Sequence, residues 1–260
     1  MKEQYNYIDK DGKLKYGDIL FDNISPMTGD SESKDLFIAV SNNKEIMIGR
    51  DGKYLSDEWF DWIGDNTDGR IMVKKGRKFN FVNIEGKLIG EEWFEYVRYF
   101  REGFSVVASN LRYNYIDKNG NFLSKEWFDD AYDFSEGFGA MELGKKWNFI
   151  NKEGKFISDI WFETAYNFSG GVGKVKLDNK WNYIDKEGKY ISDIWFDYAY
   201  DFKNGLALVF KGNKKNYINK EGKILSDIWF DSVYSFENDK AKVRLNDKWM
   251  FIDKEGNIIG

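Results

Sequence analysis

Short apolar segments, separated by polar turns, predict that this chain is built from β-strands. In one clear copy of the pattern, a first strand spans residues 181–185, a second spans 189–192 and a third spans 205–210. Between the first two strands, Asp185 starts a tight turn, and Gly188 provides the left-handed conformation that closes such a hairpin. Because the third strand of one copy leads directly into the first strand of the next, the order third–first–second predicts an antiparallel meander.

The segment between the second and third strands, residues 193–204, has a pattern of its own. Its aromatic residues fall at positions 195, 196, 198, 200 and 202, closer to the two-residue period of a strand than to the period of a helix. This pattern favours a fourth, short strand in each copy.

The whole pattern repeats along the chain. A glycine follows a short polar triplet eight times, and six of the seven intervals between these glycines are 34 residues, after a first interval of 40. Seven residues after the glycine, six copies have a tryptophan that is followed by a phenylalanine. One unit of this size cannot bury its own aromatic rings, so we expect neighbouring units to cover them. The structural repeat positions predicted in this way include Gly120, Gly154, Gly188, Gly222, Trp59, Trp93, Trp127, Trp161, Trp195 and Trp229.

These repeats resemble the WG, or KWG, repeats of bacterial proteins. Residues 147–154 and 181–188 carry the resemblance to the tryptophan-to-glycine part of the family consensus, and residues 134–137 match its Phe-x-Glu-Gly part. Asn148 and Asn182 stand where the family has a glycine after the tryptophan, and a Ser-Asp-Ile-Trp-Phe-Asp segment replaces a proline-containing one. The resemblance covers nearly the whole chain and implies a repetitive β-fold, whereas it implies no particular activity.

We therefore expect an all-β fold of tandem antiparallel β-meander repeats, stacked in an open, twisted, solenoid-like array. A closed, propeller-like ring is the alternative. The open array is favoured because the chain begins with a hairpin that lacks its third strand, while no strand is left over at the other end to complete it. Residues 1–260 are interpreted as one repeat-array domain of eight hairpin units, the first divergent and the last truncated. Residues 1–78 are interpreted as divergent N-terminal capping units.

The composition narrows the functional classes. The chain has no histidine and no cysteine, which excludes disulfides, thiol chemistry, histidine-based acid–base catalysis and zinc sites built from these ligands. A net charge of −5 and a pI near 5.1 argue against a nucleic-acid partner. The sequence has no recognisable signal peptide or membrane-spanning segment, so we expect a cytoplasmic protein. Nothing in the sequence predicts a cofactor or a metal ion.

Polar residues also recur once per unit. An asparagine on the first strand shares a face with the following isoleucine, and we expect such buried amides to bond from copy to copy as a structural ladder. Ligand binding is the alternative for these asparagines. An acidic residue follows each tryptophan–phenylalanine pair, and its regular recurrence is typical of turn capping rather than of a unique catalytic pair. Examples are Asn114, Asn148 and Asn182 for the asparagines, and Asp61, Asp197 and Asp231 for the acids.

The pattern breaks near the N-terminus. Residues 25–33 form an insertion, and the second copy adds polar and aromatic residues after its tryptophan–phenylalanine pair. Terminal units of a repeat array are commonly atypical because they cap an open end, which is one explanation. The other is a partner-binding site, for which the candidates are Trp62, Asp65, Asn66 and Asp68.

The function favoured by these observations is a non-catalytic scaffold that binds another macromolecule, most simply a protein, over an extended face. A carbohydrate-binding repeat module is the first alternative, since sugar-binding repeat proteins also carry regular aromatic residues. A structural or assembly component of a phage particle is the second.

Overall fold

A computed structural model describes residues 21–259 of the chain. Within this range, the regular structure consists of short strands and one five-residue 3-10 helix, Ser31–Asp35. The strands are β1 (Asn23–Pro26), β2 (Leu36–Ser41), β3 (Lys44–Gly49), β4 (Trp62–Thr67), β5 (Arg70–Lys75), β6 (Lys78–Asn83), β7 (Tyr96–Val97), β8 (Phe104–Ser109), β9 (Arg112–Asp117), β10 (Asp130–Ala131), β11 (Phe138–Leu143), β12 (Lys146–Asn151), β13 (Thr164–Ser169), β14 (Val172–Leu177), β15 (Lys180–Ile184), β16 (Tyr198–Ala199), β17 (Leu206–Lys211), β18 (Lys214–Asn219), β19 (Ser232–Val233), β20 (Lys240–Leu245) and β21 (Lys248–Asp253).

Consecutive strands form seven three-stranded antiparallel sheets, and the strand order within each sheet follows the chain. We number them in chain order from sheet 1 (β1–β3) to sheet 7 (β19–β21). The all-β fold of tandem repeats predicted from the sequence is therefore confirmed. The first predicted hairpin unit falls within residues 1–20 and lies outside the described residues.

The chain divides into two compact units, residues 1–134 and residues 135–260. The described part of the first unit contains β1 to β10, and that of the second contains β11 to β21. The interpretation of residues 1–260 as one domain stays a prediction, and so does the choice of an open array over a ring.

The hairpins follow directly from local sequence. Between β14 and β15, Asp178 and Asn179 adopt left-handed φ angles of 49° and 61°. Two consecutive residues of this kind form the two-residue turn whose twist matches that of the flanking strands. Asparagine and aspartate tolerate this conformation better than other residues with a side chain, which explains the polar links between strands.

The turn predicted at Asp185 is confirmed. The Asp185 carboxylate accepts hydrogen bonds from the backbone N–H groups of Glu187 (3.0 Å) and Lys189 (2.8 Å), and Gly188 has a φ of 78°. A Cβ atom on Gly188 would lie 2.0 Å from the carbonyl oxygen of Ile157 in the preceding repeat. The glycine is therefore required both by the turn and by the close approach of two repeats.

The predicted second strand, residues 189–192, does not form. Only an isolated bridge joins Ile184 to Tyr190, although the chain continues along the same edge until Phe196 pairs with Trp181. The physical reason is a local bend, in which the Ser192 hydroxyl accepts a hydrogen bond from the N–H of Ile194 at 3.1 Å. This serine-capped bend interrupts the ladder.

The predicted fourth strand does form, as β16 in this repeat and as a short strand in the other sheets. Tyr198 pairs with Phe210 of β17, and β17 pairs with β18. Each sheet therefore has the order fourth–third–first, which corrects the predicted order third–first–second.

The core lies between successive repeats. The phenylalanine that follows each tryptophan is almost completely buried, as at Phe196 and Phe230, while the tryptophans themselves are half-buried. Trp229 packs against Phe196 of the preceding repeat, with ring centroids 6.5 Å apart, and Trp93 packs against Phe60 at the same distance. Neighbouring units thus cover each other's aromatic rings, as the repeat pattern predicts.

Candidate partner-binding surface

The recurrent asparagines are structural. Asn182 is fully buried, its side-chain N–H₂ donates to the carbonyl oxygen of Ser192 at 2.8 Å, and its amide oxygen accepts from the N–H of Tyr183 at 2.8 Å. Asn148 makes the same two bonds within its own repeat. The expected copy-to-copy ladder is therefore wrong, because the bend after the first strand brings a carbonyl of the same repeat within reach of each amide. Asn114 follows the same arrangement.

The acidic residues after the tryptophan–phenylalanine pairs hold turns. The Asp231 carboxylate accepts from the backbone N–H of Asn246 at 2.9 Å and pairs with the Lys214 ammonium group at 2.6 Å. The hydrogen bond from Lys214 lowers the pKa of Asp231, and the N–H of Asn246 contributes in the same direction. Asp61 and Asp197 have equivalent partners, and their pKa values are lowered for the same reasons. The turn-capping interpretation is confirmed.

The four candidates near the N-terminus are not brought together as one surface. Asn66 is completely buried, and its side-chain N–H₂ donates to Asp30 at 2.7 Å. Asp68 accepts from the backbone N–H of Gly103 at 2.8 Å and pairs with Lys118 at 2.5 Å. Asn66 is consequently held inside the fold, and Asp68 joins neighbouring repeats.

Two of these candidates have exposed side chains. Trp62 is 37% exposed on β4, and Asp65 accepts a hydrogen bond from the Thr28 hydroxyl. The insertion predicted at residues 25–33 packs here, because Gly29 forms a bridge with Asn66. These contacts explain the divergence of residues 62–68 structurally, and a partner-binding role for the four residues stays a prediction.

Half-exposed aromatic side chains recur in the second unit at positions that the sequence pattern did not identify as candidate binding residues. Lys174 lies over the Tyr166 ring at 4.6 Å, and Lys242 lies over the Trp249 ring at 4.7 Å. In such cation–π contacts the ammonium group is attracted to the face of the ring. The exposed aromatic residues of this surface are Tyr166, Tyr198, Tyr200, Tyr234 and Trp249, between 45% and 58% exposed.

A groove also opens in the second unit, between sheets 6 and 7. It has a volume of about 710 Å³ and is lined by Tyr200, Asn204 and Leu206 from one repeat and by Phe236 and Lys254 from the next. The sequence contains a signal for this groove that the 34-residue spacing alone does not reveal. Leu206 and Asn204 depart from the phenylalanine and glutamate that stand two repeats earlier, at Phe138 and Glu136.

Among residues 21–259, no three acidic side chains are grouped so that they could hold a metal ion. The same part of the chain has no helix with the length and hydropathy of a membrane span.

Comparison with known proteins identifies one family and several distant structural matches. No curated protein matches the chain. Hsv2 of Kluyveromyces lactis is 10% identical, with 86% of this chain and 88% of that chain covered and a TM-score of 0.38. PorZ, a surface component of the type-IX secretion system of Porphyromonas gingivalis, is 10% identical, with 90% and 39% covered and a TM-score of 0.30.

The family is shown by the repeats themselves. The profile of the WG containing repeat matches residues 115–147, 149–181, 183–214 and 217–249, which together make up half of the chain. The matches include the strand–turn segments described above, and Asn148 and Asn182 lie in the single-residue gaps between consecutive matches. The resemblance inferred from the sequence is confirmed: the chain belongs to the WG-containing repeat family.

Proposed function

We propose that the protein is a non-catalytic repeat scaffold that binds another protein through the exposed aromatic surface of its second unit. The observation that carries this proposal is the recurrence of half-exposed rings in consecutive repeats, with cations beside them. Tyr198 and Tyr234 occupy adjacent repeats, and Lys242 and Arg244 both lie over Trp249.

The chemistry of these side chains suits a protein interface. Tyrosine, tryptophan and arginine are enriched where proteins bind one another, because they offer a large contact area and a polar group at a small cost in conformational entropy. The surface also extends over several repeats, as in other repeat proteins that bind extended partners.

The recurrent carboxylates support a non-catalytic role. Asp61, Asp197 and Asp231 each bind a lysine and a backbone N–H group, so they are already committed to holding turns. A cytoplasmic location and the phage-particle alternative stay predictions from the sequence.

The proposal is tested by comparing captured partners between matched variants. The full chain and a Tyr198→Ser, Tyr234→Ser variant are used as baits in extract from the native source, and bound polypeptides are quantified by mass spectrometry. We expect the variant to lose the specific partners of the wild type, because it removes two rings from the proposed surface. A Tyr96→Ser, Tyr99→Ser variant, altered at comparably exposed rings of the first unit, is the control.

Two results would contradict the proposal. In one, both variants retain the same polypeptides as the wild type. In the other, the wild type is retained on polysaccharide and sugar quenches its tryptophan fluorescence, which would support the carbohydrate alternative instead.

A further inference from the structure

The groove between sheets 6 and 7 lacks two side-chain features that are present at the first repeat junction of the second unit. The first is an aromatic ring. Phe138 packs on Phe168 of the following repeat with ring centroids 4.5 Å apart, and Phe168 is only 1% exposed. Two repeats later, Leu206 stands at the position of Phe138, and its partner Phe236 is only partly buried. One face of the Phe236 ring has therefore lost the aromatic ring that covers its counterpart.

The second missing feature is a carboxylate. The Glu136 carboxylate accepts hydrogen bonds from the backbone N–H groups of Gly170 (2.5 Å) and Gly171 (2.7 Å) in the following repeat. The Lys186 ammonium group lies 3.6 Å from the same carboxylate. Two N–H donors and one cation therefore converge on this side chain, which is a strong arrangement for binding a carboxylate.

All three donors have counterparts at the groove. The backbone N–H groups of Asn238 and Asp239 occupy the positions of the two glycines, and Lys254 occupies the position of Lys186. Asn204 stands at the position of the glutamate. Its carboxamide is uncharged, so it cannot form the charged interactions that the Glu136 carboxylate makes with the three donors. Within the described residues, Lys254 pairs only with the carboxylate of Asp239, which is 81% exposed. An ion pair as exposed as this one is weak and is easily exchanged.

The backbone of the groove keeps the conformation of the segment that provides the carboxylate in the earlier repeat. Asn204 has a φ of 52°, and Glu136 has a φ of 53°. The wall of the groove is therefore the same turn as in the earlier repeat. It lacks the aromatic ring and the carboxylate of that repeat.

We propose that this groove binds an extended segment of a partner protein in which an acidic residue is followed, two positions later, by an aromatic residue. The aromatic ring stacks on Phe236, as Phe138 stacks on Phe168. The carboxylate of the partner segment accepts hydrogen bonds from the N–H groups of Asn238 and Asp239 and forms an ion pair with Lys254. The chain itself shows this pattern in Glu136-Gly137-Phe138. The inference rests on the proposed function and names the chemistry of the partner.

The experiment measures the binding of a fluorescently labelled peptide to the full chain by anisotropy. The probe is Ser-Glu-Gly-Phe-Gly-Ala, the sequence of residues 135–140. We expect saturable binding, and we expect replacement of the peptide's glutamate by glutamine or of its phenylalanine by alanine to weaken it by about tenfold or more. No saturable binding, or equal binding of all three peptides, overturns the inference.

A second test uses variants of the protein in which larger or charged side chains occupy the groove. A Leu206→Phe, Asn204→Glu variant restores the ring and the carboxylate, so it should lose peptide binding and melt about 2–4 °C higher. The matched control, Leu111→Phe, Asn43→Glu, makes the same changes at an exposed leucine and at an exposed left-handed asparagine in the first unit. It should bind the peptide as the wild type does.

A milder variant keeps the proposal testable if the filled variant does not fold. Lys254→Ala changes a side chain that is about half exposed, and it should weaken peptide binding by about tenfold. Undiminished binding to Lys254→Ala or to the folded filled variant contradicts the inference, as does competition by an oligosaccharide. If the filled variant still captures the partners of the wild type, the groove assignment fails while the scaffold function stands.

Discussion

A buried asparagine connects two parts of the local fold in five of the described repeats. Asn182 joins its own strand to the bend at Ser192, using both halves of its amide in a site with no access to water. Isoleucine or alanine at this position would leave a carbonyl oxygen and an N–H group without partners. The replacement of the family's glycine by asparagine therefore adds a cross-connection within each repeat that has the asparagine.

We predict that Asn182→Ala lowers the free energy of unfolding by about 2–4 kcal/mol, because it leaves two buried backbone groups unsatisfied. Urea denaturation followed by tryptophan fluorescence measures the change. Asn213→Ala, at an exposed turn position, is the control and should change stability by less than about 0.5 kcal/mol. Equal effects of the two substitutions would show that the buried amide has no special role.

A buried tyrosine makes the stability depend on alkaline pH. The Tyr217 hydroxyl donates to the carbonyl oxygen of Tyr234 at 2.8 Å, and burial raises the pKa of Tyr217 from 10.0 to about 12. Below pH 10, Tyr217 is neutral in both folded and unfolded chains, so its contribution is fully present. As the pH rises from 10 to 12, the unfolded chain ionises first and folding becomes less favourable.

We therefore predict that Tyr217→Phe shows a smaller loss of stability between pH 10 and 12 than the wild type does. Denaturant midpoints measured across this range give the comparison. Tyr99→Phe, at an exposed ring, serves as the control and should follow the wild type. The prediction fails if the curves of wild type and Tyr217→Phe stay parallel.

At the scale of the element, the hairpins are explained by sequence more completely than the sheet order is. Aspartate and glycine at fixed spacing specify the turn at Asp185, and the structure has it there. The error over residues 189–192 has a local cause, since the hydroxyl of Ser192 bends a segment whose apolar pattern alone resembles a strand. The groove was not predicted for a different reason. Leu206 is apolar like phenylalanine, so the hydrophobic pattern is unchanged, and only the incomplete burial of Phe236 in the structure shows that a ring is missing.

The turn glycine Gly188 allows a test of the contact between neighbouring repeats. Gly188→Ala should lower the free energy of unfolding by about 2–4 kcal/mol, because the new Cβ meets the Ile157 carbonyl and the φ is left-handed. Gly212→Ala shares the left-handed φ but meets no atom within 4 Å, so it should cost only about 1 kcal/mol. Thermal or urea unfolding of the two variants isolates the contact between repeats, and equal losses would contradict its importance.

At the scale of the whole molecule, neighbouring repeats within each unit supply part of the cover for one another, so these repeats have no separate cores. Trp229 on Phe196 illustrates this arrangement in the second unit, and Trp93 on Phe60 illustrates it in the first. The 34-residue interval in the sequence was sufficient to predict this dependence. The partner surface was not predictable in the same way, because exposure of a ring depends on what the neighbouring repeat places over it.

Truncation tests whether the array is open. We predict that a chain ending at residue 196 folds cooperatively, with a denaturant m-value reduced roughly in proportion to the lost length. The Trp181–Phe196 bridge is kept in this variant, so its last edge has a native partner. A ring would instead lose its closure and collapse, which circular dichroism and a non-cooperative denaturation curve would reveal.

The contact between turn glycine and preceding carbonyl limits how such a protein can change in length. It recurs at Gly86, Gly120, Gly188, Gly222 and Gly256, each against a carbonyl 31 residues earlier. An insertion or deletion inside that span would displace the carbonyl from its glycine. Duplication or loss of complete 34-residue units preserves this contact, whereas the 40-residue interval between Gly12 and Gly52 contains the insertion at residues 25–33.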